Sequence, residues 1–149
     1  MAKKKAVTKT PRRRGKALNV ADIVELFDWL SNRAHQTAQD KGWWRDRVRL
    51  QQVVDRYGED VAPFLEVQNK LSLLGLIHSE VSEALNAVRN GIESDDKVPA
   101  FTGLEAELAD VLIRIFDMCG KYQLRLGAAV IAKMAMNETR PDKHGGKLA

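Results

Sequence analysis

From residue 19 onward the apolar positions step by three and four. Val20, Ile23, Val24, Phe27 and Leu30 fall on one helical face, and Asn19 stands where a side-chain oxygen can cap the first turn. This first helix is expected to end near Lys41-Gly42. A more charged helical stretch is expected over 44–57, closing at Gly58, and Pro63 suits the first turn of the helix after it. That central helix should run over 63–89, because Asn90-Gly91 supplies the left-handed residue that commonly ends a helix. A polar segment, 92–101, separates it from Thr102-Gly103-Leu104-Glu105. This reads as a capping box, in which a threonine oxygen and a glutamate carboxylate satisfy backbone N–H groups that have no partner within the helix. The helix so started should reach about Tyr122, and a last one should span 126–137, stopping before Pro141. No strand alternation of useful length and no internal repeat occurs. The pattern therefore predicts an all-α bundle of four to five helices over 19–140, preceded by a basic, disordered tail over 1–18 and followed by a C-terminal tail, 141–149, that is mobile unless a ligand orders it.

Charge refines this division. The chain has 149 residues, enough for one domain with its own core, and a net charge of +4. Eight of its 24 basic residues, from Lys3 to Lys16, precede the first acidic residue, Asp22, which leaves 16 against 20 acidic residues in the remainder. The folded body is thus acidic, and any contact with nucleic acid is expected only through the N-terminal tail. The single cysteine, Cys119, sits in an apolar run and excludes an intrachain disulfide, which suits a reducing compartment. No apolar stretch approaches the roughly 20 residues that span a bilayer, and no secretory signal is present. A cytoplasmic protein with no membrane partner is expected.

The central helix carries two adjacent stripes. Leu71, Leu74, His78, Val81, Leu85 and Val88 mark one packing seam, and Leu73, Leu76, Glu80, Glu83 and Ala87 run beside it. Glu80 and Glu83 continue an apolar stripe, so their carboxylates are expected to point into the bundle, where two like charges are costly without a cation or a proton. The next helix repeats the arrangement with Glu107 and Asp110 on one face, followed one and two turns later by Arg114 and Asp117. Glu-x-x-Glu alone is common on solvated helices; two such pairs on neighbouring helices form a stronger signal. Convergence of four carboxylates would make a hard, all-oxygen site suited to magnesium or manganese rather than zinc. A di-iron bundle needs Glu-x-x-His on two helices, and that spacing is missing; so are a P-loop and a Gly-x-Gly-x-x-Gly turn.

Ser79-Glu80-Val81-Ser82-Glu83-Ala84-Leu85, Glu107-Leu108-Ala109-Asp110-Val111-Leu112-Ile113 and the closing Lys133, Asn137 and Arg140 occur in the order found in MazG-like and dCTP pyrophosphatase enzymes. Over 71–147 the chain resembles this group of all-α nucleoside triphosphate pyrophosphohydrolases. The resemblance implies that Glu80, Glu83, Glu107 and Asp110 bind Mg2+, or Mn2+, and act in catalysis. It further implies cleavage of a (deoxy)nucleoside triphosphate, pyrimidine dNTPs favoured, to the monophosphate and pyrophosphate. Lys133, Asn137 and Arg140 share a helix face and would meet the phosphate chain, with Lys143 joining them. His35 and Trp44, nine residues apart as in dCTP-hydrolysing members, would line the base pocket with Trp43, and Arg114 would contact base or phosphate. The group forms homodimers or homotetramers. An alternative is a nucleic-acid or protein interaction module, in which the basic tail binds and the helices are a dimeric scaffold; another is a nucleotide sensor without turnover.

Overall fold

The computed structural model describes residues 19–45 and 48–141. Among these residues the chain forms five α-helices and no strand: α1 (Val20–Asp40), α2 (Val48–Tyr57), α3 (Ala62–Asn90), α4 (Gly103–Tyr122) and α5 (Leu126–Glu138), with a 3₁₀ turn at Glu59–Val61. No described helix is long and apolar enough to cross a membrane.

Local chemistry explains the ends. Asn19 caps α1 by accepting from the Asp22 N–H, and the Asp22 carboxylate accepts in return from the Asn19 N–H, 2.9 and 3.0 Å. At α4 the Thr102 N–H donates to Glu105 and the Glu105 N–H donates to the threonine hydroxyl, at 2.8 and 3.2 Å, the expected box. The Thr102 donors, its backbone N–H first, hold the Glu105 carboxyl below its ordinary range. Gly91 ends α3 at φ +62°, a left-handed conformation that favours glycine.

Helix α4 is the hub, flanked by α1 and α3, while α5 packs on α1. Gly120 permits the α1 crossing. A Cβ there would strike the Ser31 carbonyl oxygen and stand 2.6 Å from His35 Cβ. Phe27 and Phe116 meet edge to face across the same interface, 5.7 Å between centroids. On α3 the buried positions are Leu73, Glu80, Ala84 and Ala87, close to a heptad rhythm, and the two alanines let α4 approach closely.

Two expectations are corrected. The packing seam anticipated on Leu71, Leu74, His78, Val81, Leu85 and Val88 faces away from α4 and is exposed. One neighbouring helix covers only a narrow band of α3, so α4 takes Leu73, Glu80, Ala84 and Ala87, and Leu76 and Glu83 of the second stripe stay exposed as well. The second helix was anticipated from residue 44, whereas Trp43 and Trp44 lie in the turn that follows α1, where the indole N–H of Trp44 reaches an acceptor on α4. The N-terminal tail and residues 142–149 lie outside the described residues.

Candidate metal and nucleotide site

Three of the four anticipated carboxylates converge. Glu80 of α3, buried, and Glu107 and Asp110 of α4, half-buried and exposed, each offer an oxygen within 4.8 Å of the others. Glu83 is exposed and stands outside this trio, yet its charge acts on it. The Glu107 carboxyl is pushed above its ordinary value first by desolvation, then by the negative charges of Glu83, Asp110 and Glu80, while Lys97 opposes them. The donor set fits a hard divalent cation: all-oxygen, close together and electrostatically short of positive charge.

Part of that charge comes from α4 itself. Arg114 Nε donates to Glu80 Oε1 at 2.9 Å, and its guanidinium carbon lies 5.4 Å from the centre of the Trp43 ring. The residue four positions after Asp110 thus turns back across α3 and holds the most buried carboxylate of the cluster. Trp43 is 68 % exposed, so the stacked guanidinium forms an open wall rather than a core contact.

One turn further along α4 is Asp117, 8 % exposed. Its Oδ1 lies 2.7 Å from His35 Nδ1 and accepts the Trp44 indole N–H at 3.0 Å. The His35 and Trp44 rings meet edge to face at 4.9 Å. A buried carboxylate with two ring partners fixes the Trp43-Trp44 turn against the helices.

Between α1, this turn and α4 lies a cleft of about 450 Å³, walled by Trp29, Arg33, Trp43, Arg114 and Asp117, with Glu80 and Asp110 also on its lining. Asp110 and Ile113 also line a second cavity, about 490 Å³, under the loop that carries Lys97 and Phe101. The carboxylates therefore border two openings. The aromatic and cationic walls of the first suit a heteroaromatic ring and its phosphates.

Of the residues anticipated for substrate, Trp43 and Arg114 line the cleft. His35 and Trp44 do not; they reach it through Asp117, which does. Lys133, Asn137 and Arg140 are exposed on or just beyond α5 and are not among the residues lining the cleft of their own chain. Helix α5, which carries the first two, packs on α1. Lys143 lies outside the described residues. Sequence reasoning placed Asp117 on the face of Asp110 without giving it a role, and it passed over Trp29, Arg33 and Lys97. The seven-residue step from Asp110 is the available signal for Asp117; Trp29 and Arg33 reach the cleft only through the α1 to α4 packing, and Lys97 comes from the loop that precedes α4.

Compared with protein-family models, characterised proteins and solved structures, the chain matches none of them.

Proposed function

We propose that this chain is a magnesium-dependent pyrophosphohydrolase of the MazG-like type, acting in the cytoplasm on a (deoxy)nucleoside triphosphate, pyrimidine dNTPs favoured, and releasing the monophosphate and pyrophosphate. The observation that carries the reading is the meeting of Glu80, Glu107 and Asp110 where Glu80 and Asp110 line a cleft walled by Trp43 and Arg114. The three carboxylates are the ligands for the cation, Mg2+ or Mn2+. When bound, such an ion neutralises phosphate charge and lowers the pKa of coordinated water.

The chain's own groups do the rest. Trp43 and Trp29 offer ring faces to the base. Arg33 adds a cation to the cleft for the phosphate chain. Glu83, beside the trio but outside it, takes the proton as water attacks the α-phosphorus; the bond to the bridging oxygen breaks and pyrophosphate departs. His35, Asp117 and Trp44 hold the aromatic turn in register.

A second copy of the chain covering the outward apolar face of α3 gives the homodimer or homotetramer. Lys133, Asn137 and Arg140 would then bind phosphate in a partner's cleft. The alternative, an interaction module working through the basic tail, rests on residues outside the described structure. Removing residues 1–16 leaves hydrolysis intact under our reading and abolishes the sole activity under the alternative.

The deciding experiment incubates the full chain with a panel of dNTPs and Mg2+ and identifies products by anion exchange and phosphorus NMR. Monophosphate and pyrophosphate in equal amounts are expected. No turnover, or diphosphate with orthophosphate, defeats the proposal.

A further inference from the structure

The Arg114 contact with Glu80 has no place in a simple metal site. A guanidinium and a divalent cation compete for one carboxylate and repel each other when they share it. Yet Arg114 Nε donates to Glu80 Oε1 at 2.9 Å, and Glu80 belongs to the group of three oxygens that lie within 4.8 Å of one another. The side chain is not locked in: Arg114 is 29 % exposed, against 11 % for Glu80, and its other contact is the open ring of Trp43. Arg114, Trp43, Glu80 and Asp110 all line the same cleft.

We infer that Arg114 is a built-in counter-ion, which neutralises Glu80 until a divalent cation binds, then yields that carboxylate to the cation and turns its guanidinium to the polyphosphate in the cleft. The inference rests on the proposed nucleotide reading. It gives Arg114 two successive partners, each an oxyanion matched to a planar fork of N–H donors. Glu80 would otherwise be a buried charge without compensation, so the counter-ion keeps the cluster assembled before a ligand arrives. A nucleotide brought in with its metal supplies both halves of the exchange: a cation for Glu80 and an anion for Arg114.

The two halves carry opposite signs, which a purely structural role does not. Arg114→Gln removes the competitor, so Mn2+ alone, titrated into the full chain by electron paramagnetic resonance of the free ion, should bind about fivefold tighter, the low end of common coupling between sites. With Mn2+ saturating, a methylene-bridged, nonhydrolysable dNTP analogue should bind about tenfold more weakly, having lost a charge-assisted contact. Arg114→Lys keeps the charge without the fork. It should leave Mn2+ affinity near the wild-type value yet still weaken the analogue, and it decides the matter if the glutamine variant loses its helical circular dichroism. Unchanged or weaker Mn2+ binding in Arg114→Gln, or undiminished analogue binding, overturns the inference. Failure of the wild-type chain to bind Mn2+ at all overturns the metal reading and this inference together, whereas turnover by a wild type whose Mn2+ affinity is indifferent to Arg114 overturns the counter-ion role alone.

Discussion

His35 Nδ1 and Asp117 Oδ1 lie 2.7 Å apart although 82 positions separate them in the chain. The same oxygen accepts the Trp44 indole N–H, so one carboxylate ties α1, α4 and the aromatic turn together. Asp117→Ala leaves that N–H without its acceptor, and a lost buried partner of this kind costs about 2 kcal/mol. Urea denaturation followed by tryptophan fluorescence should record the loss, together with weaker nucleotide binding as the turn loosens. A denaturation midpoint equal to wild type contradicts the anchoring role.

Gly120→Ala places a methyl group against the Ser31 carbonyl oxygen and 2.6 Å from His35 Cβ. Neither atom is the end of a flexible side chain, so α1 and α4 must separate. Overpacking of this sort costs roughly 1–3 kcal/mol, and the upper part of that range is expected because backbone is involved. Gly75→Ala is the control, since nothing stands within 4 Å of a Cβ there; it should stabilise α3 slightly. Thermal unfolding of the two variants should move in opposite directions.

The helices were legible in the sequence because they are set locally. Asn19, the Thr102 box and Gly91 mark their ends through contacts within a few residues, and the apolar period marks their bodies. The inward direction of Glu80 was legible too, since it continues the stripe of Leu73 and Ala87. Two outcomes depended on information that no local pattern carries. Both stripes of α3 read as core, and the choice between them is made by the depth to which α4 settles against Ala84 and Ala87. Trp44 looked helical by composition, and the buried acceptor that draws it into a turn, Asp117, is 73 positions away. The cleft itself follows from that pairing and from the α1 to α4 crossing at Gly120.

Under the proposed function, Glu107 makes metal binding proton-linked. Its carboxyl lies above 4.5 in the folded chain, raised by desolvation and then by Glu83, Asp110 and Glu80. The folded state therefore holds a proton that the unfolded state has released, and without metal its stability falls as pH rises from 4.5 through the raised value. A cation must displace that proton, so affinity climbs across the same window. Mn2+ titrations at a series of pH values should show tighter binding as pH rises through it, and Glu107→Gln should flatten the dependence. An equal slope in wild type and variant removes Glu107 from the linkage. Glu105, whose carboxyl is lowered by Thr102, acts in the other sense: its capping contribution is present above 4.5 and disappears as pH falls through the lowered value.

Leu74 and Leu85 stand 50 % and 55 % exposed on the outward face of α3, in line with Leu71, Val81 and Val88. Under the proposed function, this contiguous apolar stripe is where a second copy of the chain docks. If a second copy covers it, size-exclusion chromatography with light scattering should give a dimer or tetramer for the wild type and monomers for Leu74→Glu with Leu85→Glu. A monomeric wild type removes the homo-oligomer from the proposed function and leaves Lys133, Asn137 and Arg140 without a cleft to serve.

The four carboxylates differ in role under the proposed function. In the proposed site Asp110 shares the cation with Glu80 and Glu107, whereas Glu83 acts on Glu107 through charge without joining the trio. Asp110→Asn should weaken Mn2+ binding and abolish turnover, because it removes a ligand. Glu83→Gln leaves the three ligands in place and removes the proton acceptor, so kcat should fall by about 10²-fold or more, in the range attributed to general base catalysis, while Mn2+ affinity changes little. It also removes one of the charges that raise Glu107, which should shift the pH dependence of Mn2+ binding downward. Equal losses of Mn2+ affinity in both variants assign Glu83 to the metal as a fourth ligand. Full activity in Glu83→Gln transfers the base to another group, for which the carboxylates of the trio are the nearest candidates.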